Sequence, residues 1–216
     1  MTISISRALG ALLFGAAVLG AGCSGVLDRQ PPEKQRFVLA PGRPDPVSGP
    51  RAGALRVGVV RVSSPFANRG FVRRSGEATF ANDFYNEFAA PPGVLLRELL
   101  VDWLRDGTRF ATVVRGSEAP PDCLLEVDLE SLYEDLRDAA APQATIAFTA
   151  RLLDARSSAA KIVLEKHYAT HEPAADGSRS AIVAAWNRSL ARLLAELATD
   201  LDVARDRARA KPARAS

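Results

Sequence analysis

The sequence has few of the residues and none of the motifs with which most enzymes do their chemistry. Its 216 residues include only two histidines and two cysteines. It holds no G-x-S-x-G nucleophile motif, no phosphate-binding Walker loop and no dinucleotide-binding fingerprint. Ser158 and Lys161 have the S-x-x-K spacing of penicillin-recognising enzymes, but the S-D-N and K-T-G triplets that accompany it there are missing. We therefore predict that the protein is not an enzyme and needs no cofactor.

The amino terminus lacks an apolar run long enough to span a bilayer. The uncharged run at residues 8–22 has 15 residues, whereas a membrane-spanning helix needs about 20. It follows a single cation, Arg7, and ends in two small residues before Cys23. This is the layout of a signal peptide that is removed in front of an acylated cysteine. We predict a lipoprotein signal peptide over residues 1–22 and lipid attachment at Cys23; the alternatives are an ordinary secretory signal and an uncleaved anchor.

Cysteine is otherwise almost absent, so we expect no disulfide framework. With Cys23 acylated, Cys123 is the one thiol left in the sequence. Ser24, the residue after the lipidated position, lacks the acidic character that often retains lipoproteins at the inner membrane. We expect the acyl chains to hold the protein in the outer membrane, on its periplasmic face.

A concentrated surface of one charge is also missing. The 28 basic and 25 acidic residues nearly balance, and the basic excess lies at the far end of the chain. Nucleic-acid binding needs a basic face, often with aromatic residues among the cations. The sequence shows none, so we expect no nucleic-acid partner.

The remaining chain has the length of one domain. Removal of the leader leaves about 194 residues, which suffices for a single core. Residues 23–53 are rich in proline, and we interpret them as a tether with one short strand. We predict a folded domain over residues 54–204 and a basic disordered tail over residues 205–216.

Valine-rich or alternating segments predict the strands of one sheet. They are Ala54–Val62, Gly70–Arg74, residues 78–83, 110–115 and 123–133, Gln143–Asp154, and residues 161–171. In the first strand we expect apolar side chains on both faces, with Leu55, Val57 and Val59 on one of them. The next two strands form a predicted hairpin.

Acidic side chains share one face of the predicted strand at residues 123–133 and its extension. They are Glu126, Asp128, Glu130 and Glu134. Neighbours on one face of a strand lie about 7 Å apart and point the same way. A solvated face, or a docking site for a basic partner, therefore accounts for them better than acid/base or calcium chemistry.

Two segments carry apolar residues every three or four positions, which predicts helices with one side on a core. In the first, at residues 91–107, the apolar residues are Val94, Leu95, Leu96, Leu99, Leu100, Trp103 and Leu104. The second has Ser178 or Ser180 as its predicted N-cap. Its apolar residues are Ile182, Trp186, Leu190, Leu193, Leu197 and Leu201. Together these elements predict an α+β fold, a mostly antiparallel sheet with two helices packed on one face.

The two histidines do not predict a metal site. His167 and His171 share a face of a predicted strand, but they lie about 13 Å apart along it. One metal ion cannot bridge them there. Only a helical segment would let the pair chelate zinc.

The richest aromatic segment of the chain is FANDFYNEFAAPP, at residues 80–92. Its rings either fill the core between the hairpin and the first helix or form a surface on which a partner is anchored. For the second alternative, the candidate docking residues are Phe84, Tyr85, Asn86, Glu87 and Phe88, together with Arg73 on the neighbouring strand.

Five segments of the sequence form a recognisable set: the leader, VSSPF, RGFVRR, NDFYNEFAAPPGVLLRELLVDWL and the terminal AIVAAWNRSLARLLAELATDL. Together they resemble the ABC-type transport auxiliary lipoprotein family, which includes PqiC-like proteins. The resemblance covers residues 37–202. It implies a fold similar to the amino-terminal domain of TolB. It also implies a place beside a transporter that moves lipids or other hydrophobic compounds between two membranes, with a permease, an ATPase and an MCE-domain substrate-binding protein as partners.

From this resemblance we expect a non-catalytic adaptor, held in the membrane by its acylated cysteine and docked on the transport components. Assembly into a homo-oligomer around a channel fits such a role. The alternative is a lipid-binding carrier that shields hydrophobic cargo in an apolar cavity between the sheet and the helices. A third class, a periplasmic hydrolase, needs a clustered nucleophile and base that the sequence does not show.

Overall fold

The computed structural model describes residues 33–116, 120–157 and 159–210. The chain divides into two units, residues 1–33 and residues 34–216, and every element below belongs to the second unit. The predicted signal peptide, Cys23, Ser158 and the end of the predicted tail lie outside the described residues. Within the described part, no helix is both long enough and apolar enough to cross a membrane.

The described residues form eight strands and two α-helices. They are β1 (Gln35–Phe37), β2 (Ala54–Val62), β3 (Gly70–Arg74), β4 (Phe80–Phe88), α1 (Pro92–Gly107), β5 (Thr112–Val114), β6 (Cys123–Asp135), β7 (Gln143–Asp154), β8 (Lys161–Pro173) and α2 (Arg179–Ala210), with a short 3-10 turn at Ser64–Phe66. Each strand and helix predicted from the sequence is confirmed, and the α+β fold class is confirmed with them.

The sheet is mixed, and β6 lies at its centre. One edge of β6 pairs antiparallel with β7, which pairs antiparallel with β8. The other edge is shared by two parallel neighbours, β2 along the first half of β6 and β3 at its last two residues. β5 extends the sheet beyond β2, and β4 and β1 extend it beyond β3. The two longest pairings are antiparallel, and β2 and β3 pair in parallel with successive parts of the other edge of β6.

Both helices pack on the same face of the sheet and close one core. Leu96, Leu100 and Leu104 of α1 are buried against β2. The six predicted apolar positions of α2 are all buried as well. Ser178 is the N-cap of α2, because its Oγ accepts a hydrogen bond from the Ala181 amide at 3.2 Å.

A bulge in β2 overturns part of the face assignment. Pairing between β2 and β6 slips between Val57 and Val60. Leu55, Val57 and Val60 are buried, whereas Val59 is 71% exposed. The prediction that Val59 shares the face of Leu55 is wrong, because one extra residue reverses the alternation beyond it.

The folded body begins at β1 rather than at β2, so part of the predicted tether is packed. Leu39 is buried in the core. The Ala40 amide donates to Asn187 Oδ1 of α2 at 2.8 Å, and the Val47 amide donates to the Asp106 carbonyl at 3.3 Å. Proline fixes the backbone of this segment but leaves its apolar side chains free to pack.

α2 continues six residues into the segment predicted as a disordered tail. Arg205, the first residue of that segment, is buried because its guanidinium binds Asp206 and lies 5.2 Å from the centre of the Phe110 ring. The boundary at residue 205 is therefore wrong.

The solvent-facing side of the sheet carries paired charges, as the alternation predicts. Asp128 of β6 binds both Arg61 of β2 and Arg151 of β7. The Glu130 carboxylate accepts a hydrogen bond from Thr149 Oγ1 at 2.6 Å. The acidic face is thus neutralised by its neighbours on the adjacent strands.

Glu134 does not belong to that face. The pairing of β6 with β7 slips between Leu129 and Ser131, and the slip turns Glu134 inwards, where its side chain is 0% exposed. The expectation that it shares a solvated acidic surface is wrong.

Candidate functional site

The aromatic segment lies on a large bulge of β4. At one point in the β3–β4 pairing, β3 has the single residue Phe71 where β4 has four, residues 83–86. A bulge of this kind ends the regular ladder and redirects side chains. We call residues 83–86 the β4 bulge.

The side chain of Asp83 holds the backbone of the β4 bulge. Its Oδ1 accepts hydrogen bonds from the amides of Tyr85 at 2.9 Å and Asn86 at 3.1 Å. Its Oδ2 accepts one from Asn86 Nδ2 at 2.9 Å and another from Arg73 Nη2. A short acidic side chain that bonds to amides two and three residues ahead is a local turn motif. The bulge is therefore an ordered feature of the strand.

The two rings at the tip of the bulge face solvent. Phe84 is 68% exposed and Tyr85 is 42% exposed. They meet edge to face with their centres 5.2 Å apart, and Lys34 Nζ lies 4.2 Å from the centre of the Phe84 ring. Large apolar groups presented together in this way are typical of interaction surfaces.

Phe88 belongs to the core, as the first of the two sequence alternatives expects. Phe88 is 2% exposed and packs against Phe71 and Trp186, with ring centres 4.5 Å and 5.5 Å apart. Phe80 packs edge to face on Tyr133 but is itself 45% exposed. The prediction that Phe88 is a docking residue is wrong, because its side chain packs in the core beneath the bulge and is not accessible to a partner.

Cations surround Glu87 at the base of the bulge. Arg36 Nε, Arg69 Nη2 and Lys34 Nζ lie 3.0, 3.2 and 4.0 Å from its carboxylate oxygens. The hydrogen bond from Arg36 and the nearby Arg69 and Lys34 hold the pKa of Glu87 below its usual value, against a smaller opposing effect of desolvation. These contacts tie β1 to β4.

Arg73 reaches beneath the bulge into a buried group of charges. Besides donating to Asp83, its Nε lies 3.6 Å from Glu134 Oε2, and that oxygen also accepts a hydrogen bond from Arg179 Nη1. We call Arg73, Asp83, Glu134 and Arg179 the ion cluster. Sequence reasoning placed only Arg73 near the site and missed the other three. The adjacent apolar residues Leu132 and Tyr133 break the alternation of β6 and could have signalled the inward turn of its end.

The charge of Asp83 stabilises the fold. Burial works to raise the pKa of Asp83, but the hydrogen bonds from Arg73, Asn86 and the amides of Tyr85 and Asn86 outweigh it and lower the pKa to about 2. The unfolded value is about 3.9. The Asp83 charge therefore contributes about 2 kcal/mol to the free energy of unfolding at pH values above the unfolded-state pKa. This contribution is lost as the pH falls through about 2.

We accordingly expect an Asp83→Asn variant to lose stability at neutral pH and to show a smaller drop between about pH 4 and pH 2 than the wild type. The titration of Glu134 changes stability in the opposite direction. Burial raises the pKa of Glu134, so protonation of this group favours the folded state. Urea unfolding at a series of pH values measures the difference between the two proteins. Parallel pH profiles would show that Asp83 is not the group that titrates.

A groove of about 300 Å³ lies between β2 and the first turn of α1. Its apolar lining includes Val59, Val62 and Val94, and Arg97 and Arg115 also line it. Arg97 Nη2 donates to the carbonyls of Val57 at 3.1 Å and Arg115 at 2.6 Å, which fixes one wall of the groove.

The histidines stay apart, as their positions on one strand predict. His167 Nδ1 lies 3.2 Å from Glu130, and His171 Nδ1 lies 3.0 Å from Thr145 Oγ1. Among the described residues, no group of three His, Cys, Asp or Glu side chains is placed to hold a metal ion.

Comparison with known proteins identifies a family and a fold. The sequence model of the family described as ABC-type transport auxiliary lipoprotein component matches residues 37–198. No protein of curated function matches the chain.

Among solved structures, the chain is similar to XCC0632 from Xanthomonas campestris, of the DUF330 family, with a TM-score of 0.72 and 20% identity over 82% of this chain and 100% of that one. It is similar to an uncharacterized protein with a TM-score of 0.63 and 18% identity over 78% and 99% of the two chains. CT253 from Chlamydia trachomatis gives a TM-score of 0.47 and 10% identity over 70% and 96%. The first two likenesses show a shared fold.

Proposed function

The chain belongs to the ABC-type transport auxiliary lipoprotein family, and from this premise we propose that it is a non-catalytic adaptor of an ABC-type transport system. Its partners are an MCE-domain substrate-binding protein and the permease and ATPase of the same system. The cargo is a lipid or another hydrophobic compound that moves between two membranes. The family match supports the transport role, and the near absence of catalytic motifs supports the adaptor role.

In this proposal the protein sits at the outer membrane and faces the periplasm. Acyl chains on Cys23 insert into the lipid, and the proline-rich residues that follow link them to β1. Several acyl chains give durable anchoring, whereas one gives only marginal binding. The layout of the leader before Cys23 and the neutral Ser24 after it support this placement.

The proposed docking surface is the β4 bulge with its flanking charges. Phe84 and Tyr85 provide the exposed rings, Asn86 and Glu87 border them, and Arg73 holds the bulge from beneath. The observation that carries the proposal is this exposed pair of rings on an ordered backbone. Rigid aromatic side chains dominate the binding energy of many interfaces, and an ordered loop loses less entropy on binding. Self-association into a homo-oligomer would array several such surfaces around one channel.

Replacement of both Phe84 and Tyr85 by serine is expected to lower capture of the MCE-domain protein at least tenfold, because hot-spot residues each contribute about 2 kcal/mol or more. The rings are exposed, so the free energy of unfolding should change by less than about 0.5 kcal/mol per site. The measurement is a pull-down from detergent-solubilised envelope with a photocrosslinker at Asn82, an exposed residue directly before the bulge. Each product is identified by mass spectrometry as MCE-domain protein, permease or ATPase.

The matched control for this experiment is Ile162→Ser, which removes an apolar side chain that is 51% exposed on β8. It should leave the crosslinks at the bulge unchanged. Undiminished capture by the double variant would rule out the bulge as the docking surface.

The valine-lined groove favours a second candidate function, a carrier that binds hydrophobic cargo. A groove of about 300 Å³ between β2 and α1 lies at the small end of the range for ligand sites. Lipid that co-purifies with the protein, detected by mass spectrometry, and is lost on Val94→Asp substitution would support the carrier. Without such lipid the adaptor remains the better proposal.

A further inference from the structure

The ion cluster connects the start of α2 to the β4 bulge through one continuous series of contacts. Arg179, the first residue of α2, donates to Glu134. Glu134 lies directly opposite Arg73 in the pairing of β6 with β3. Arg73 donates to Asp83, whose other oxygen accepts two amides of the bulge. Three strands and a helix therefore meet at the support of the proposed docking surface.

The Glu134 end of the ion cluster, unlike the Asp83 end, is a poor source of stability. The side chain of Glu134 is 0% exposed, and its Oε1 accepts no hydrogen bond within the described residues. Arg73 Nε likewise donates none. An orphaned buried polar atom carries a desolvation cost, and buried ion pairs can often be replaced by apolar groups without loss of stability. The arrangement therefore calls for a role other than stabilisation.

We infer that Glu134 and Arg179 are positioning residues for the β4 bulge. Arg179 holds Glu134, and Glu134 orients Arg73. Arg73 then holds the Asp83 carboxylate in the place where it accepts the amides of the bulge. The functional meaning of this positioning rests on the docking role proposed above, whereas the positioning itself is a property of the free protein.

The test is Glu134→Gln, which keeps the shape of the side chain and removes its charge. Exchange of the Tyr85 and Asn86 amides with solvent deuterium should become about tenfold faster, because the charge-assisted contacts that hold Asp83 are weakened. The free energy of unfolding is measured beside it, because a loss of global stability would speed the exchange of amides throughout the sheet and not at the bulge alone. Amide exchange by NMR and urea unfolding measure the two effects. A purely structural role predicts lower global stability alone, with no selective change at the bulge.

Glu172→Gln is the matched control. Glu172 is less deeply buried than Glu134, at 16% exposed, and is likewise shared by two arginines, Arg188 and Arg192, but it lies on β8. This variant should leave exchange at the bulge unchanged. A second test variant is Arg73→Lys, which keeps the charge but replaces the guanidinium fork by a single ammonium group.

Arg73 is 39% exposed, so the lysine variant should fold even if Glu134→Gln does not. Its bulge amides should also exchange faster than those of the wild type. Wild-type exchange rates at Tyr85 and Asn86 in every test variant that folds would overturn the positioning role.

Capture of the MCE-domain protein, measured on the same variants, separates this inference from the proposed function. Faster exchange with unchanged capture would support positioning and reject docking at the bulge. Loss of capture only on substitution of Phe84 and Tyr85, with wild-type exchange in the Glu134 and Arg73 variants, would keep docking and reject positioning.

Discussion

A Cys23→Ala variant, exported with a cleavable secretory signal, is expected to move entirely from the membrane fraction to the soluble periplasm. Burial of acyl chains contributes about 0.8 kcal/mol for each CH₂ group. The chains attached to a lipoprotein cysteine therefore provide far more binding energy than one exposed protein surface. Their removal should be nearly all-or-none, and fractionation after osmotic release, followed by immunoblotting, measures it.

Cys123→Ala is the natural control for that experiment. Cys123 is 3% exposed, and burial, with Asp154 and Asp122 nearby, raises its pKa to about 11, so its thiol is inert. This variant should stay in the membrane fraction. A Cys23→Ala protein that still sediments with membranes, or an intact mass that shows a free thiol at Cys23 in the wild type, would contradict acyl anchoring.

The fold could be predicted largely from local patterns, because each element has its own period. In β7 the apolar residues Ile146, Phe148 and Leu152 are spaced by multiples of two, as one face of a strand requires, and all three are buried. The apolar residues of α2, spaced three or four positions apart, predicted its buried side equally well. These predictions succeeded because burial of one face determines such patterns within a single element.

The errors in assigning side chains to the two faces of the sheet arose where strands slip past their neighbours. Slips displace Val59 in β2 and Glu134 in β6 from their expected faces, and a larger one forms the β4 bulge. A slip depends on the partner strand, which the local pattern of one segment does not reveal. For the same reason the candidate site was found only in part: Phe84 and Tyr85 could be selected by composition, whereas the contact between Glu134 and Arg179 joins residues 45 positions apart.

The core beneath the site should be highly sensitive to the loss of one ring. Trp186 of α2 is 0% exposed, and its ring centre lies 5.2 Å from that of Phe71 and 5.5 Å from that of Phe88. Its Nε1 donates to the Thr145 carbonyl at 3.1 Å. Trp186→Ala should therefore lower the free energy of unfolding by about 3–5 kcal/mol, which urea unfolding measures directly.

The two tryptophans of the chain allow the ring and the hydrogen bond of Trp186 to be separated. Trp103 is 6% exposed, but its Nε1 has no hydrogen-bond partner within the described residues. Trp186→Phe removes the hydrogen bond to the Thr145 carbonyl, whereas Trp103→Phe breaks no such bond, so the first should cost about 1 kcal/mol more than the second. Equal losses would mean that packing alone holds Trp186. A Trp186→Ala loss below about 1 kcal/mol would mean that the base of the β4 bulge does not depend on this ring.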